Sequence, residues 1–297
     1  MTLKEDAINL HRILRGKIEI SSRISSDNIF ETEKENGKGT LSSIYTPGVA
    51  FVCEEIRKNK NLAYEYTSKW NNIAIVCDGT RVLGLGNIGP EGALPVMEGK
   101  SVLFKTLANV NAFPLCISIK GKEEIISFVK SKEPSFGAIN IEDIESPKVL
   151  EIAEILQREM SIPVFHDDRH GTAVITMAGL INALRLLKKK VHETRVVIAG
   201  AGSAGYGIFK ILNKFMFKDI IVLDKEGAMY EGREIDSHNF MVSKSEKGQH
   251  VFSNNKQVNP FKREIALNSN RYKINGDLAA TIKETDVFIG TSGIGNY

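Results

Sequence analysis

Nowhere in this chain do about 18 consecutive apolar residues occur, the length a helix needs to span a bilayer. The N-terminal stretch MTLKEDAINLHRILRGKIEI mixes charges with short apolar groups, so neither an anchor nor a leader is expected. Cysteine is scarce: Cys53, Cys77 and Cys116 lack metal-ligand spacing, and two of them sit in apolar runs where a thiol packs as a small hydrophobe. That usage fits a reducing, cytoplasmic compartment. An excess of one charge is also missing, because 39 basic residues face 36 acidic ones along the whole chain. The net charge of +3 leaves no electrostatic footprint for nucleic acid. Internal repeats and low-complexity tracts are absent too. What remains is a chain of 297 residues, 42% hydrophobic and 25% charged, long enough for one large or two ordinary domains.

From Ile73 onward, short apolar runs alternate with helical patterns. IAIVCDG, FPLCISI and FGAINIED read as strands, each ended by turn-forming or acidic residues, while EEIISFVKSK and SPKVLEIAEILQREM read as helices between them. The alternation predicts an α/β fold. A further helix over Thr172 to Lys190, closed by the basic run Lys188 to Lys190, leads into RVVIAG, a glycine-rich turn, the helical YGIFKILNKF and the strand DIIVLD. That order is a βαβ unit. Residues Gly232 to Gly276 are polar and aperiodic, so most are expected to form a surface loop, with one helix near Pro260 to Asn268. DLAATIKETDVFIGTSG then predicts a helix and a strand.

Two segments match G-x-G-x-x-G, and context separates them. Gly200, Gly202 and Gly205 follow an apolar strand, open a helix and precede Asp224, which ends the next strand 19 residues after Gly205. Gly200 suits a tight turn, Gly202 close approach to a pyrophosphate, and Gly205 helix–strand packing; Ser203 and Ala204 place their amides at the helix N-terminus. Asp224 would accept hydrogen bonds from the adenosine ribose, which favours NAD, while the adjacent Lys225 leaves NADP possible. Gly84, Gly86 and Gly89 lack that context. Pro90, Gly92, Pro95 and Gly99 follow them closely enough to argue against a long helix, so a tight loop is expected there.

Two acidic pairs, Glu142-Asp143 and Asp167-Asp168, sit just beyond strand-like segments. Hard cations such as Mg2+ and Mn2+ take several oxygen ligands, so the pairs suit a divalent-metal site. Each pair alone is also compatible with a solvated turn, and Asp168 with favouring a helix N-terminus.

Taken together, SIYTPGVA (43–50), DGTRVLGLGNIGPEGALPVMEGKSVLFK (78–105), FGAINIEDI (136–144), IPVFHDDRHGTA (162–173) and VVIAGAGSAG (196–205) closely resemble the short, bacterial-type malic enzymes. The resemblance implies a substrate domain over residues 1–160, a Rossmann-type NAD(P)-binding domain over 161–297, and a homodimer. It also implies oxidative decarboxylation of L-malate to pyruvate and CO2. By position, the family's metal ligands fall on Glu142, Asp143 and Asp168, with Asp167 beside them as an orienting or proton-transfer group. Tyr45 matches the general acid, Lys100 the general base and Arg81 a substrate-carboxylate contact that often differs in short forms. As a base near neutrality, Lys100 would need its proton affinity lowered from a pKa of roughly 10.4 by a metal charge or by desolvation.

Two departures from the family stand out. Relatives continue well past VFIGTSGIGNY through an asparagine-bearing segment that contacts substrate, so the chain reads as C-terminally truncated; a catalytically silent nucleotide- or metal-binding protein is the alternative. The stretch Ser237 to Gln257 reads as a surface insertion. A metal-free amino-acid dehydrogenase is more distant, since it would have no use for three acidic ligands.

Overall fold

A computed structural model describes residues 3–14, 16–24, 40–233, 243–244, 250–251 and 259–292. The chain divides into two compact units, residues 1–144 with 155–164, and residues 145–154 with 165–297. The boundary expected after residue 160 lies inside the stretch 145–164 across which the chain alternates between units.

In the first unit, α1 (Leu3–Leu14), α2 (Thr40–Ile44), α3 (Val49–Lys58) and α4 (Ala63–Tyr66) precede β1 (Asn72–Cys77). Then follow α5 (Gly89–Ala108), β2 (Asn111–Cys116), α6 (Lys122–Lys130), β3 (Ala138–Ile141), and, across the stretch where the chain passes between units, α7 (Lys148–Glu159) and β4 (Val164–His166), with sheet order β2-β1-β3-β4. β1 runs parallel to both neighbours, from Asn72↔Asn111 to Cys77↔Cys116 on one side and from Ile73↔Ala138 to Val76↔Ile141 on the other. Ile75, Cys77, Val82, Ala93, Met97 and Ala112 form a common core. Parallel strands covered by helices are apolar on both faces, which is why these runs are continuous rather than alternating.

One expectation is overturned here. The helix α5 continues for 20 residues through Pro95. Pro90 stands in its first turn, where a missing N–H costs nothing, and Ala93, Met97 and Ser101 recur every fourth residue as its buried stripe. Burial of Ala93 and Met97 in the first unit's core works against the roughly 3 kcal/mol that an interior proline costs. The Pro95 carbonyl accepts a hydrogen bond from Lys17 Nζ at 2.7 Å. The loop before the helix is tight as expected: Val82 and Gly86 form an antiparallel bridge, and Gly84 and Gly86 both adopt left-handed backbone.

The second unit holds α8 (Thr172–Leu186), β5 (Arg195–Ala199), α9 (Ser203–Lys214), β6 (Asp219–Asp224), β7 (Gly227–Ala228), β8 (Ser243–Lys244), β9 (His250–Val251), α10 (Pro260–Asn268), α11 (Leu278–Thr281) and β10 (Val287–Gly290). Its main sheet has the order β10-β5-β6-β7, with β10, β5 and β6 parallel and β7 antiparallel, and β8 pairs with β9 separately. Ala173, Met177, Leu180 and Leu184 make one buried stripe on α8. The helix over Pro260–Asn268 is present, capped by Asn259 Oδ1, which accepts from the Phe261 and Lys262 amides, with Pro260 in the first turn. This helix buries Phe261, Ile265 and Ala266, with the Phe261 ring 5.0 Å from that of Tyr206. Most of the expected 237–257 insertion lies outside the described residues.

Candidate functional site

In the first unit, parallel pairing delivers the polar residues to one edge of the sheet. Val76 stands beside Ile141, so the two segments leave the sheet together as Cys77-Asp78 and Glu142-Asp143. All four residues are buried. Asp78 Oδ1 accepts from the amide and hydroxyl of Thr80 at 3.0 and 2.6 Å, an Asx turn that starts the loop towards Arg81. Asp143 adopts left-handed backbone with φ 53°, and its carbonyl accepts from the Arg81 amide at 3.2 Å. The Arg81 residue itself is exposed.

Lys100, projecting from α5, places Nζ 2.9 Å from Glu142 Oε1, while Asn140 Nδ2 donates to Glu142 Oε2 at 3.0 Å. Both carboxylate oxygens are thereby engaged, one by a charge and one by an amide, which offsets the cost of burying the acid. Lys100, Glu142, Asp143 and the backbone of Arg81 thus gather on one edge. Tyr45 follows α2, is 67% exposed, and its hydroxyl bonds to no described residue.

The second acidic pair lies in the second unit, where a π-helical turn, Asp167–Gly171, joins β4 to α8. Asp168 Oδ2 stands 3.7 Å from Nε2 of the fully buried His166, beyond hydrogen-bonding range. Among the described residues, neither ring nitrogen of His166 has a hydrogen-bond partner. His170 Nδ1 accepts from the His166 amide at 3.0 Å. Burial, with the charge of Arg169 and the neighbouring His166, depresses the His170 pKa to about 4, so its ring is neutral at pH 7. Among the described residues, no three histidine, cysteine or carboxylate groups lie close enough to hold a metal ion. The donor set itself is hard oxygen, and the consecutive buried carboxylates Glu142 and Asp143 suit Mg2+ or Mn2+ in kind.

The glycine-rich turn has the form its sequence demands. Gly200 (φ 120°) follows β5, and a Cβ there would lie 2.5 Å from Thr291 Oγ1 and 2.9 Å from the Ser292 amide nitrogen. At Gly205 a Cβ would fall 1.7 Å from the Gly200 carbonyl oxygen, so only glycine lets α9 start this close to the strand. Gly202 differs: nothing lies within 4 Å of its absent Cβ, and it precedes the first helical residues Ser203, Ala204 and Gly205. Open space before a helix N-terminus is where a pyrophosphate binds. Because β10 and β6 flank β5, the turn also stands where the strand order reverses, the usual place for a ligand in an open parallel sheet.

Asp224 ends β6 only 5% exposed. Its Oδ1 accepts from Arg233 Nη2 at 2.7 Å and from the Glu226 amide at 3.0 Å, while Lys262 Nζ stands 3.2 Å from Oδ2. Burial alone would raise the Asp224 pKa, but the Arg233 hydrogen bond and charge, with Lys262, outweigh it and hold the carboxyl below its ordinary value. Lys225 is exposed.

Several of these partners have little sequence signal. Arg169 is buried, its Nη2 donating to Glu154 at 3.2 Å and its guanidinium lying 4.8 Å from the Tyr206 ring centroid. The Tyr206 hydroxyl donates to Glu264 at 2.5 Å. A Cβ on Gly207 would fall 2.3 Å from the Arg169 carbonyl oxygen, so this second glycine of α9 lets the Asp167–Gly171 turn pack against that helix. Arg233 and Lys262 meet Asp224 from 9 and 38 residues away in sequence, beyond any local motif. Asp78, by contrast, was recoverable: it ends the first strand as Glu142 and Asp143 follow the third.

Residues 25–124 match the malic enzyme N-terminal domain, and residues 170–297 match the malic enzyme NAD binding domain. The chain is 44% identical over 295 residues to a bifunctional malic/malolactic enzyme of Bacillus subtilis, covering 99% of this chain and 65% of that protein. It is 43% identical over 280 residues to an NAD-dependent malic enzyme of Geobacillus stearothermophilus, with 94% and 52% covered. The chain therefore spans between half and two thirds of these relatives' length. Among solved structures, an NAD-dependent malic enzyme from Thermotoga maritima superposes with a TM-score of 0.82 at 43% identity, over 97% of this chain and 69% of that one. A malic enzyme from Pyrococcus horikoshii gives 0.81 at 35% identity.

Proposed function

This chain belongs to the malic enzyme family, and from that premise we propose that it serves the oxidative decarboxylation of L-malate to pyruvate and CO2, with reduction of NAD or NADP. The observation that carries this reading is the Lys100–Glu142 ion pair of 2.9 Å, which sets a candidate base directly on a candidate metal ligand. Glu142, Asp143 and Asp168 would hold Mg2+ or Mn2+. Bound there, the cation would supply the charge that polarises the malate hydroxyl oxygen and offsets the negative charge left by loss of CO2, and a bound nicotinamide would supply the hydride acceptor.

The remaining steps are assigned to side chains of this chain. With Glu142 holding a cation, Lys100 would lose its counter-charge and release its proton to solvent, and the neutral amine would then take the malate hydroxyl proton. Tyr45, with its hydroxyl exposed, delivers the proton that C3 of the decarboxylated product needs. Arg81 would hold a substrate carboxylate, and Asp167 would orient its neighbour or relay a proton. Gly200, Gly202, Ser203, Ala204 and Gly205 would receive the pyrophosphate, and Asp224 the adenosine ribose. The carboxylate at position 224 favours NAD, whereas Arg233, Lys262 and Lys225 supply the positive charge that a 2′-phosphate of NADP would use. A second copy of the chain is the expected partner.

The test is malate-dependent NADH and NADPH formation with and without Mn2+, run on this chain and on a version extended to its relatives' length. Mn2+-dependent pyruvate production is expected from the extended form. Activity confined to that form would leave this segment as a binding part of the enzyme; no pyruvate from either form would overturn the reading.

A further inference from the structure

Cys77 and Cys116 are register partners at the ends of β1 and β2. Adjacent strands lie about 4.8 Å apart, inside the Cα separation a disulfide spans. As register partners on adjacent parallel strands, they carry their side chains on the same face of the sheet. They are also unequal: Cys116 is half-buried, whereas Cys77 is enclosed by the core of Ile75, Val82, Ala93 and Met97. An accessible sulfur backed by a buried one is the arrangement of an attacking thiol and its resolving partner.

We propose that Cys77 and Cys116 form a dithiol modification site that closes to a disulfide by exchange with a small disulfide. The Cys116 thiolate attacks one sulfur of the small disulfide, breaking its S–S bond and releasing one thiolate, which takes up a proton. Cys77 then loses its proton and attacks the Cys116 sulfur, expelling the second small thiol. Two protein thiols are oxidised, one small disulfide is reduced to two thiols, and no other reactant is needed. The neighbouring Cys77 thiol holds the Cys116 pKa below its ordinary value, which favours Cys116 as the attacking group; the neighbouring Cys116 and burial push Cys77 up.

Closure reaches the neighbouring loop. Cys77 Sγ accepts from the Gly79 amide at 3.3 Å, and the Gly79 carbonyl accepts from the Ile88 amide at 3.0 Å, immediately before the helix that carries Lys100. A Cβ on Gly79 would lie 2.1 Å from the Gly89 carbonyl oxygen, so the turn has little room to adjust when the sulfur is drawn towards Cys116. This inference does not depend on the malate reaction.

The experiment treats the Cys53→Ser chain with cystamine and digests it with trypsin without reduction. Linkage of fragment 70–81 to fragment 106–120, loss of two thiols per chain, and reversal by dithiothreitol are expected. Amide exchange at Gly79 and Ile88 should quicken on oxidation. In the Cys53→Ser, Cys116→Ser chain, Cys77 should stay reduced; should that variant fail to fold, the linkage measurement on Cys53→Ser decides alone. A stable cystamine adduct on Cys116 without the cross-link, or two unmodified thiols under conditions that label Cys53 in the parent chain, would overturn the proposal.

Discussion

Lys100 Nζ lies 2.9 Å from Oε1 of Glu142, a carboxylate whose side chain is only 9% exposed. The lysine therefore compensates a nearly buried charge, and its removal should be felt in stability as well as in chemistry. Lys100→Ala is expected to cost about 1–3 kcal/mol in urea unfolding, the usual scale for stranding a buried polar group. Turnover in the extended enzyme should fall by about 10²-fold or more, as for other acid–base groups. Pairing Lys100→Met with Glu142→Gln should recover most of the stability and none of the turnover. A double variant with near-native turnover would remove both residues from the chemistry.

Tyr45 offers the opposite combination. With its side chain largely exposed and its hydroxyl bonded to no described residue, Tyr45→Phe should leave the thermal midpoint unchanged. Turnover should nevertheless drop by about 10²-fold. An unaltered rate would dismiss this tyrosine as the acid.

At the glycine-rich turn, two glycines three residues apart should behave differently on substitution by alanine. Gly205→Ala places a methyl 1.7 Å from the Gly200 carbonyl oxygen, so the thermal midpoint should fall sharply. Gly202→Ala meets nothing within 4 Å and keeps an ordinary negative φ of −81°, so the fold should hold. A methyl there occupies the space a pyrophosphate needs, and NADH affinity measured by fluorescence titration should weaken about tenfold, or about 1.4 kcal/mol. Unchanged affinity would move the phosphate site elsewhere.

Asp224 predicts a pH dependence. Its folded-state pKa lies below the ordinary value of 3.8, so its contribution to stability is fully present above that value and is lost as pH falls towards the folded-state pKa. Asp224→Asn should therefore be less stable than the parent at pH 7, with the difference shrinking below about pH 4. Urea unfolding at a series of pH values checks this. A difference constant with pH would show that the aspartate's charge is not what Arg233 and Lys262 stabilise.

The strands were legible because parallel pairing buries both faces, leaving continuous apolar runs that stop at Cys77, Ile141 and Asp224. The Asn259-Pro260 helix start and the Gly200–Gly205 turn were legible for a similar reason, since each is specified by neighbouring residues whose backbone requirements are local. Pro95 misled because a local rule, that proline breaks helices, yields when enough apolar surface is buried on the same helix.

By itself, then, the sequence determined the alternation of strands and helices, the glycine-bounded turn before α9 and the placement of the acidic pairs just beyond strands, all legible from neighbouring residues. Tertiary structure alone decided that Lys100 meets Glu142, that Cys77 faces Cys116 across 39 residues of chain, and that Arg233 and Lys262 close on Asp224. Those pairings follow from strand register and helix packing, where a shift of one residue along a strand changes which side chains meet.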